Sequence, residues 1–196
     1  MVSSVYIAKN VYGGDGIGRL GGGRGVFVPG AFAGEHVKAE IVEEKRGYAK
    51  ARLAGIEDPS PERISSGPEP VPGMVYSNLS LAGEIAAKKS QIEEAFSKAR
   101  WKHPPVSFGG IEGQQTGYRN KTTYHFARVG GRMLLGYHFK GGHEIQDVET
   151  DPLARPEINA KLPEMRRAVR ALLTEGSRNV RDSVERKGSL TARWTR

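Results

Sequence analysis

The sequence predicts a β domain followed by an α+β domain: a small closed barrel over residues 1–57 and an antiparallel sheet with helices over residues 82–196. Short alternating strands separated by glycines crowd the first part of the chain. A proline-rich stretch interrupts them, and helical and strand periodicities follow it.

"VYIAKN" alternates apolar and polar positions, and so does "HVKAEIVEEK", where Val37, Ala39 and Ile41 share one face. "GYAKARLAGI" follows the turn Lys45-Arg46-Gly47, an arrangement suited to a hairpin. "GRGVFVPGAFAGEHV" supplies a further strand that ends at Pro29 and Gly30. Several strands joined by glycine turns in so short a span predict a closed barrel. "DPSPERISSGPEPVPGM", residues 58–74, then places five prolines in seventeen residues and can continue neither sheet nor helix. It predicts a linker over residues 58–81.

From Ala82 to Ala99 the period becomes helical, with Ile85, Ile92, Phe96 and Ala99 on one stripe. Strands are expected over Thr122–Val129 and Met133–Phe139, joined through Gly130-Gly131, and over Glu144–Val148. A second helical zone begins at Pro156. Pro163 opens its longer helix, Met165, Val169 and Leu172 line a face, and Gly176 caps the end. The pattern leaves the role of "RDSVERKGSLTARWTR" open, and no internal repeat is visible.

The 196 residues carry a formal charge of +8 with 37% hydrophobic residues, a balance that favours an acidic partner such as nucleic acid or an anionic surface. From Pro152 to Arg196 eleven Lys and Arg stand against five Asp and Glu, so +6 of the +8 lies in that tail and about +2 in the rest. The chain has no cysteine, which excludes disulfides and thiolate metal sites in it and points to the cytosol. The first residues lack the basic and apolar regions of a signal peptide, and no apolar run reaches the length of a membrane span. A soluble, cytoplasmic protein is expected.

Gly16-x-Gly18-x-x-Gly21 has the dinucleotide-binding spacing, but a strand follows it where that fingerprint needs a helix N-terminus. Its glycines are expected to permit tight barrel turns instead. The five histidines show no metal-binding spacing, although His125 and His138 can face each other across the hairpin. No Gly-x-Ser-x-Gly elbow and no carboxylate pair suggest catalysis. Basic and aromatic residues do gather on the hairpin: Tyr118, Arg119, Lys121, Tyr124, Arg128, Arg132, Tyr137, His138 and Lys140. Arg pairs with phosphate or stacks on a base, and Tyr offers a π-face and a hydroxyl. Strand alternation turns half of these inward, so a nucleic-acid surface and an ordinary solvated hairpin both remain open.

"GGDGIGRLGGGRGVFVPGAFAGEHVKAEIVEEKRGYAKARLAGIEDPSPERI" resembles the OB-like TRAM barrel of the TRAM-domain RNA (uracil-C5)-methyltransferases, S-adenosylmethionine-dependent enzymes of the 23S rRNA type. "GEIAAKKSQIEEAF" resembles the helix that follows it. "YRNKTTYHFA", "LLGYHFKGGHEIQDVE" and "DPLARPEIN" resemble the central domain that holds RNA. The likeness runs from about Val5 to Leu173. It implies a barrel over 1–57, a degenerate cluster loop over 58–81, and a central RNA-binding domain over 82–196, with the S-adenosylmethionine domain absent.

Four cysteines hold an iron–sulfur cluster in many members of that family. Their positions fall here at about Gly67, Val71, Met74 and Asp151, so no cluster is expected. The family's nucleophilic cysteine is missing as well, which implies an inert RNA-binding half that binds no cofactor itself; "GSLTARWTR" resembles only the first steps into the catalytic half. The alternative is a stand-alone TRAM-type RNA-binding module or RNA chaperone. By the resemblance the partner is RNA, ribosomal before transfer RNA. Tyr118, Arg119, Asn120 and Lys121 are expected to contact it, with Arg19, Arg24 and Lys50 on the barrel. The helix at residues 83–99 leans on the catalytic half in the family, so its stripe would here be open to self-association.

Overall fold

The computed structural model describes residues 1–64, 70–107, 109, 115–139, 142–175 and 187–193, the last seven and residues 172–175 by backbone alone, and among these described residues nine strands and three helices follow one another. The chain forms two compact units. One is Met1–Gly67 with Val75–Gly113, and the other is Pro68–Met74 with Gln114–Arg196. The sequence places a boundary at residue 58 and groups the 82–99 helix with the second part, whereas chain packing counts that helix with the barrel.

In the first unit β1 (Val2–Asn10), β2 (Gly16–Arg19), β3 (Gly25–Val28), β4 (His36–Glu44) and β5 (Tyr48–Asp58) close a barrel in the order β1-β2-β3-β5-β4. Val5, Ile7, Val26, Val28, Val37, Ala39, Ala49 and Ala51 fill it. These are the inward positions of alternating strands, and their burial drives closure. β3 and β5 pair in parallel, with Phe27 opposite Lys50.

Of the Gly16–Gly21 motif, Gly16 and Gly18 lie in strand β2 rather than in the expected turns, and Gly21 lies in the turn that follows. A Cβ on Gly16 would lie 2.7 Å from the Ala31 carbonyl oxygen, and one on Gly18 would lie 2.3 Å from Val5 Cγ1 and 2.4 Å from the Tyr6 carbonyl oxygen. Glycine is required there because two backbones meet inside a narrow barrel. The neighbouring turn does use positive φ, at Gly13 (93°) and Gly14 (89°).

α1 (Leu81–Lys98) starts at Ser80, whose hydroxyl accepts from the Gly83 N–H at 3.0 Å. At 3.6 residues per turn, Gly83, Ala87, Gln91 and Glu94 share one face of it. That face meets the barrel unit. Gly83 lies against Glu62 and Leu79, Ala87 packs on the Phe32–Tyr76–Leu79 cluster, Gln91 donates to Tyr76 Oη at 2.7 Å, and Glu94 pairs with Lys9 at 2.5 Å. The predicted stripe of Ile85, Ile92, Phe96 and Ala99 lies on the opposite face, with Ile92 and Ala99 exposed and Ile85 and Phe96 half-buried.

The second unit is a four-stranded sheet in the order β8-β7-β6-β9, from β6 (Lys121–Val129), β7 (Arg132–His138), β8 (Ile145–Asp147) and β9 (Lys187–Arg193). Its core packs Tyr124, Leu135, Ala154, Ile158 and Leu162 beneath α2 (Pro156–Asn159) and α3 (Leu162–Glu175). β9 was not legible in the sequence. The pattern leaves this stretch open, and residues 187–193 run antiparallel along β6 from Ala127 to Lys121. Gly176, the expected cap, lies outside the described residues. Among the described residues no helix is long and apolar enough to cross a membrane.

Candidate nucleic-acid interface

The residues before β6 are tied to the loop before α2. Gly117 N–H donates to the Pro152 carbonyl at 2.8 Å, Arg119 N–H to Leu153 at 2.8 Å, and Arg155 N–H to Arg119 at 3.0 Å. The extended backbone of this clamp makes side chains alternate. Tyr118 turns outward and is 50% exposed, and Asn120 is exposed beside it. Arg119 turns inward, half-buried, with its guanidinium against Gly73, where an added Cβ would lie 2.9 Å from Nη2. Lys121 opens β6 and is exposed, whereas Thr122 and Tyr124 are buried. Tyr118, Asn120 and Lys121 are thus the exposed members of the cluster, offering a hydroxyl and a π-face, an amide and an ammonium. Arg119 is built into the support beneath it.

Asp151 sits at the centre of that support and is fully buried. Its Oδ2 accepts from Tyr124 at 2.9 Å and from Tyr137 at 2.6 Å, and its Oδ1 accepts from the Leu153 N–H at 2.9 Å. Asn159 brackets its backbone, accepting from the Asp151 N–H at 2.8 Å and donating to its carbonyl at 2.9 Å. Burial pushes the Tyr137 hydroxyl up to about 12, reinforced by the carboxylate it donates to. Val71 and Met74 join Val148, Leu153 and Tyr137 in an apolar cluster.

Three of the four positions where the resemblance would put cluster cysteines are therefore a valine, a methionine and a saturated carboxylate; Gly67 lies outside the described residues. Iron–sulfur clusters need thiolates, and the chain has none, so these residues do not fit one. Among the described residues no group of His, Cys, Asp and Glu could hold a metal ion either. A cavity of about 440 Å³ borders Val71, Asp147 and Glu149, whose carboxylates give it the wrong sign for phosphate.

His125 and His138 do meet, with ring centroids 4.2 Å apart. The register pairs His125 with Gly136, so the two histidines are diagonal neighbours rather than directly opposite. Burial lowers the His125 pKa, and the charge of His138 adds to that.

On the barrel, Arg19 is exposed and donates to the Gly23 carbonyl at 2.8 Å. Arg24 pairs with Glu44 at 3.0 Å, and Lys50 with Glu43 at 2.7 Å. Hydrogen bonds from Lys45 and Lys50 hold Glu43 down to about 2. Arg24 and Lys50 thus carry neighbouring countercharges, which weakens their pull on a polyanion relative to Arg19. Two residues that sequence reasoning missed complete this face. Phe27 and Tyr48 meet edge to face at 5.5 Å, on the same outer side as Ile17, Arg19 and Lys50. Alternation marks both as outward-facing, but only the parallel β3–β5 pairing brings them together.

The fold and this face thus define a class: an OB-like barrel with exposed basic residues beside an edge-to-face aromatic pair. Residues 5–54 match the TRAM domain family. The chain is 30% identical over 193 residues to an uncharacterized RNA methyltransferase of Gloeobacter violaceus, covering 95% of this chain and 41% of that relative. It is 27% identical over 151 residues to the 23S rRNA (uracil(1939)-C(5))-methyltransferase RlmD of Pectobacterium atrosepticum, covering 74% of this chain and 33% of that one. The chain is a relative of the TRAM-containing RNA methyltransferases, and its partial coverage fits their N-terminal portion. In fold it resembles the tRNA (uracil-54, C5)-methyltransferase of Pyrococcus abyssi, with a TM-score of 0.57 at 16% identity, over 83% of this chain and 36% of that one.

Proposed function

We propose that this chain is the RNA-holding part of an RNA (uracil-C5) methyltransferase and contributes no methyl-transfer chemistry itself. The observation that carries the reading is the outward group Tyr118, Asn120 and Lys121, fixed on a hydrogen-bonded clamp, in a relative of RNA methyltransferases. Lys121 supplies a phosphate contact, Tyr118 a stacking face or a hydroxyl, and Asn120 a polar contact with RNA. Arg119 adds positive potential from behind. On the barrel unit, Arg19, Arg24 and Lys50 supply separate contacts of their own. The RNA is ribosomal, following the relatives named for 23S rRNA.

Chemistry at uracil C5 in this family proceeds through a cysteine thiolate, and the 196 residues contain no cysteine. S-adenosylmethionine belongs on this reading to a part outside these residues. The chain should bind an rRNA fragment with an affinity that falls steeply with salt, because each phosphate contact releases counterions. Lys121→Ala with Arg119→Ala should weaken that binding at least tenfold while the circular dichroism spectrum is kept. Unchanged affinity in the double variant, or a salt-independent affinity, would overturn the assignment, and measurable S-adenosylmethionine binding would overturn the division of labour.

A further inference from the structure

The end of α1 carries a surface cluster that the hairpin and barrel sites do not include. The helix stops in a Schellman arrangement. Trp101 N–H donates to the Phe96 carbonyl at 3.1 Å, and Arg100 N–H donates to Ser97 at 3.0 Å. This geometry brings the rings of Phe96 and Trp101 to 5.0 Å, edge to face. His103 then stacks on the other partner of the pair, 4.4 Å from Phe96 at 31°. Phe96 is thus held between two rings, while Trp101 is left 63% exposed.

The residue in the left-handed position of this stop is Arg100, at φ 52°, and among the described residues no other non-glycine has a positive φ. Glycine is the ordinary occupant, so an arginine there costs local stability. Lys102 lies on the other side of the indole in sequence, and both cations are exposed. Among the described residues neither has a carboxylate within ion-pair distance, unlike Lys98, whose ammonium meets Glu94 at 2.8 Å. An exposed indole between two cations, supported from behind by a fixed phenyl ring, matches what a single-stranded polynucleotide requires: a face for a base and charges for the flanking phosphates.

We infer that Trp101, flanked by Arg100 and Lys102 and backed by Phe96 and His103, is a stacking site for a base of a single-stranded RNA segment. The inference rests on the RNA-binding reading above and adds a contact point on the first unit, away from the barrel strands. The backbone strain at Arg100 follows from keeping a cation beside the stacked base.

The chain has two tryptophans, so Trp194→Phe leaves Trp101 as the sole indole fluorophore. Titration of this variant with fluorescein-labelled oligouridylate should quench indole emission in step with the rise in label anisotropy. Polyphosphate, which has charge but no bases, should leave the emission unquenched. In the otherwise native chain, Trp101→Ala should weaken oligouridylate binding about tenfold. Arg100→Gly, which relaxes the helix end and so cannot act by unfolding it, should weaken binding about threefold and lower the salt slope by about one. Normal oligonucleotide binding without indole quenching, or without loss in either variant, would overturn the stacking site and leave the hairpin reading intact. Equal quenching by polyphosphate would do the same. An emission change that follows protein concentration instead of RNA would make this face a contact between copies of the chain. Absence of any oligonucleotide binding would remove the RNA-binding reading itself.

Discussion

Tyr124 donates its hydroxyl to Asp151 at 2.9 Å, and both side chains are completely buried. Tyr137 donates to the same carboxylate oxygen at 2.6 Å, and Thr122 lies 2.5 Å from the Tyr137 hydroxyl. This hub links β6, β7 and the loop before α2, the elements that fix the hairpin mouth. Asp151→Ala would leave two hydroxyls and the Leu153 N–H without their acceptor in a dry interior. An expected cost of about 3–5 kcal/mol follows from stranding several buried donors at once. Tyr137→Phe should cost less, about 2 kcal/mol, since it deletes the bonds to Asp151 and Thr122 but keeps the ring and leaves the carboxylate its other donors. Urea denaturation of both variants checks the ranking.

The same hub should make the second unit sensitive to alkali. Burial raises both tyrosine hydroxyls above their ordinary value of 10.0, Tyr137 to about 12 and Tyr124 further. In the unfolded chain both ionise near 10, so the stabilisation is fully present below pH 10 and is lost as pH rises through the folded values. Tyrosinate absorbance should show two late-titrating residues that ionise together with loss of near-ultraviolet dichroism. Early ionisation of all seven tyrosines would contradict the hub.

In the first unit the counterpart is Glu35, fully buried and held by Arg63 at 2.5 Å and by the N–H groups of Phe32 at 2.8 Å and Ser60 at 3.2 Å. Burial alone would raise its pKa, but these bonds together outweigh burial and leave it below the ordinary 4.5. A depressed carboxylate stabilises the fold above its unfolded pKa and loses that contribution as pH falls through the folded one. The barrel unit should therefore begin to lose stability below about pH 4.5. Glu35→Gln should flatten that acid limb and cost about 3 kcal/mol at neutral pH, because it leaves the Arg63 charge without its partner. Thermal melts across acid pH decide this.

How much of this was legible in the sequence depends on where the controlling contacts lie. β1, β4, β5 and the β6–β7 hairpin are encoded by alternation within one segment, and they appear within a few residues of their expected bounds. β2 was hidden because glycines read as turns until the closeness of Val5 and Tyr6 is known. β9 was hidden because its partner, β6, lies about sixty residues away and its own composition is polar. The hairpin cluster was readable as a set of residue types. That Arg119 turns in while Tyr118 and Lys121 turn out required the Arg119–Ala154 bridge, a contact between distant segments. The face by which α1 docks is small and polar, so periodicity of apolar residues marked the opposite one.

The glycine reading gives a direct test of barrel closure. Gly18→Ala would force a methyl to within 2.4 Å of the Tyr6 carbonyl oxygen, which is backbone and cannot step aside without breaking the β1–β2 pairing. Overpacking of this kind costs about 1–3 kcal/mol, and the rigidity of a closed barrel places it at the upper end. Gly25→Ala, on the outer side of β3 with nothing within 4 Å of the new methyl, should be tolerated. Paired thermal melts of the two variants should separate them by several degrees. Equal melting temperatures would mean that the glycines of β2 serve flexibility instead of close approach.

A last prediction concerns the diagonal histidines. Burial, then the neighbouring charge of His138, lowers the His125 pKa from its ordinary 6.5, so the unfolded chain binds a proton that the folded one resists. Stability should therefore fall as pH drops below 6.5, a loss that begins above the pH at which Glu35 starts to contribute. His138→Gln removes the repulsion but leaves the burial, and His125 should then titrate closer to its ordinary value without reaching it. Imidazole proton resonances followed through the titration measure both effects. If His125 is unmoved by His138→Gln, the 4.2 Å ring contact carries no electrostatic coupling and burial alone sets its pKa.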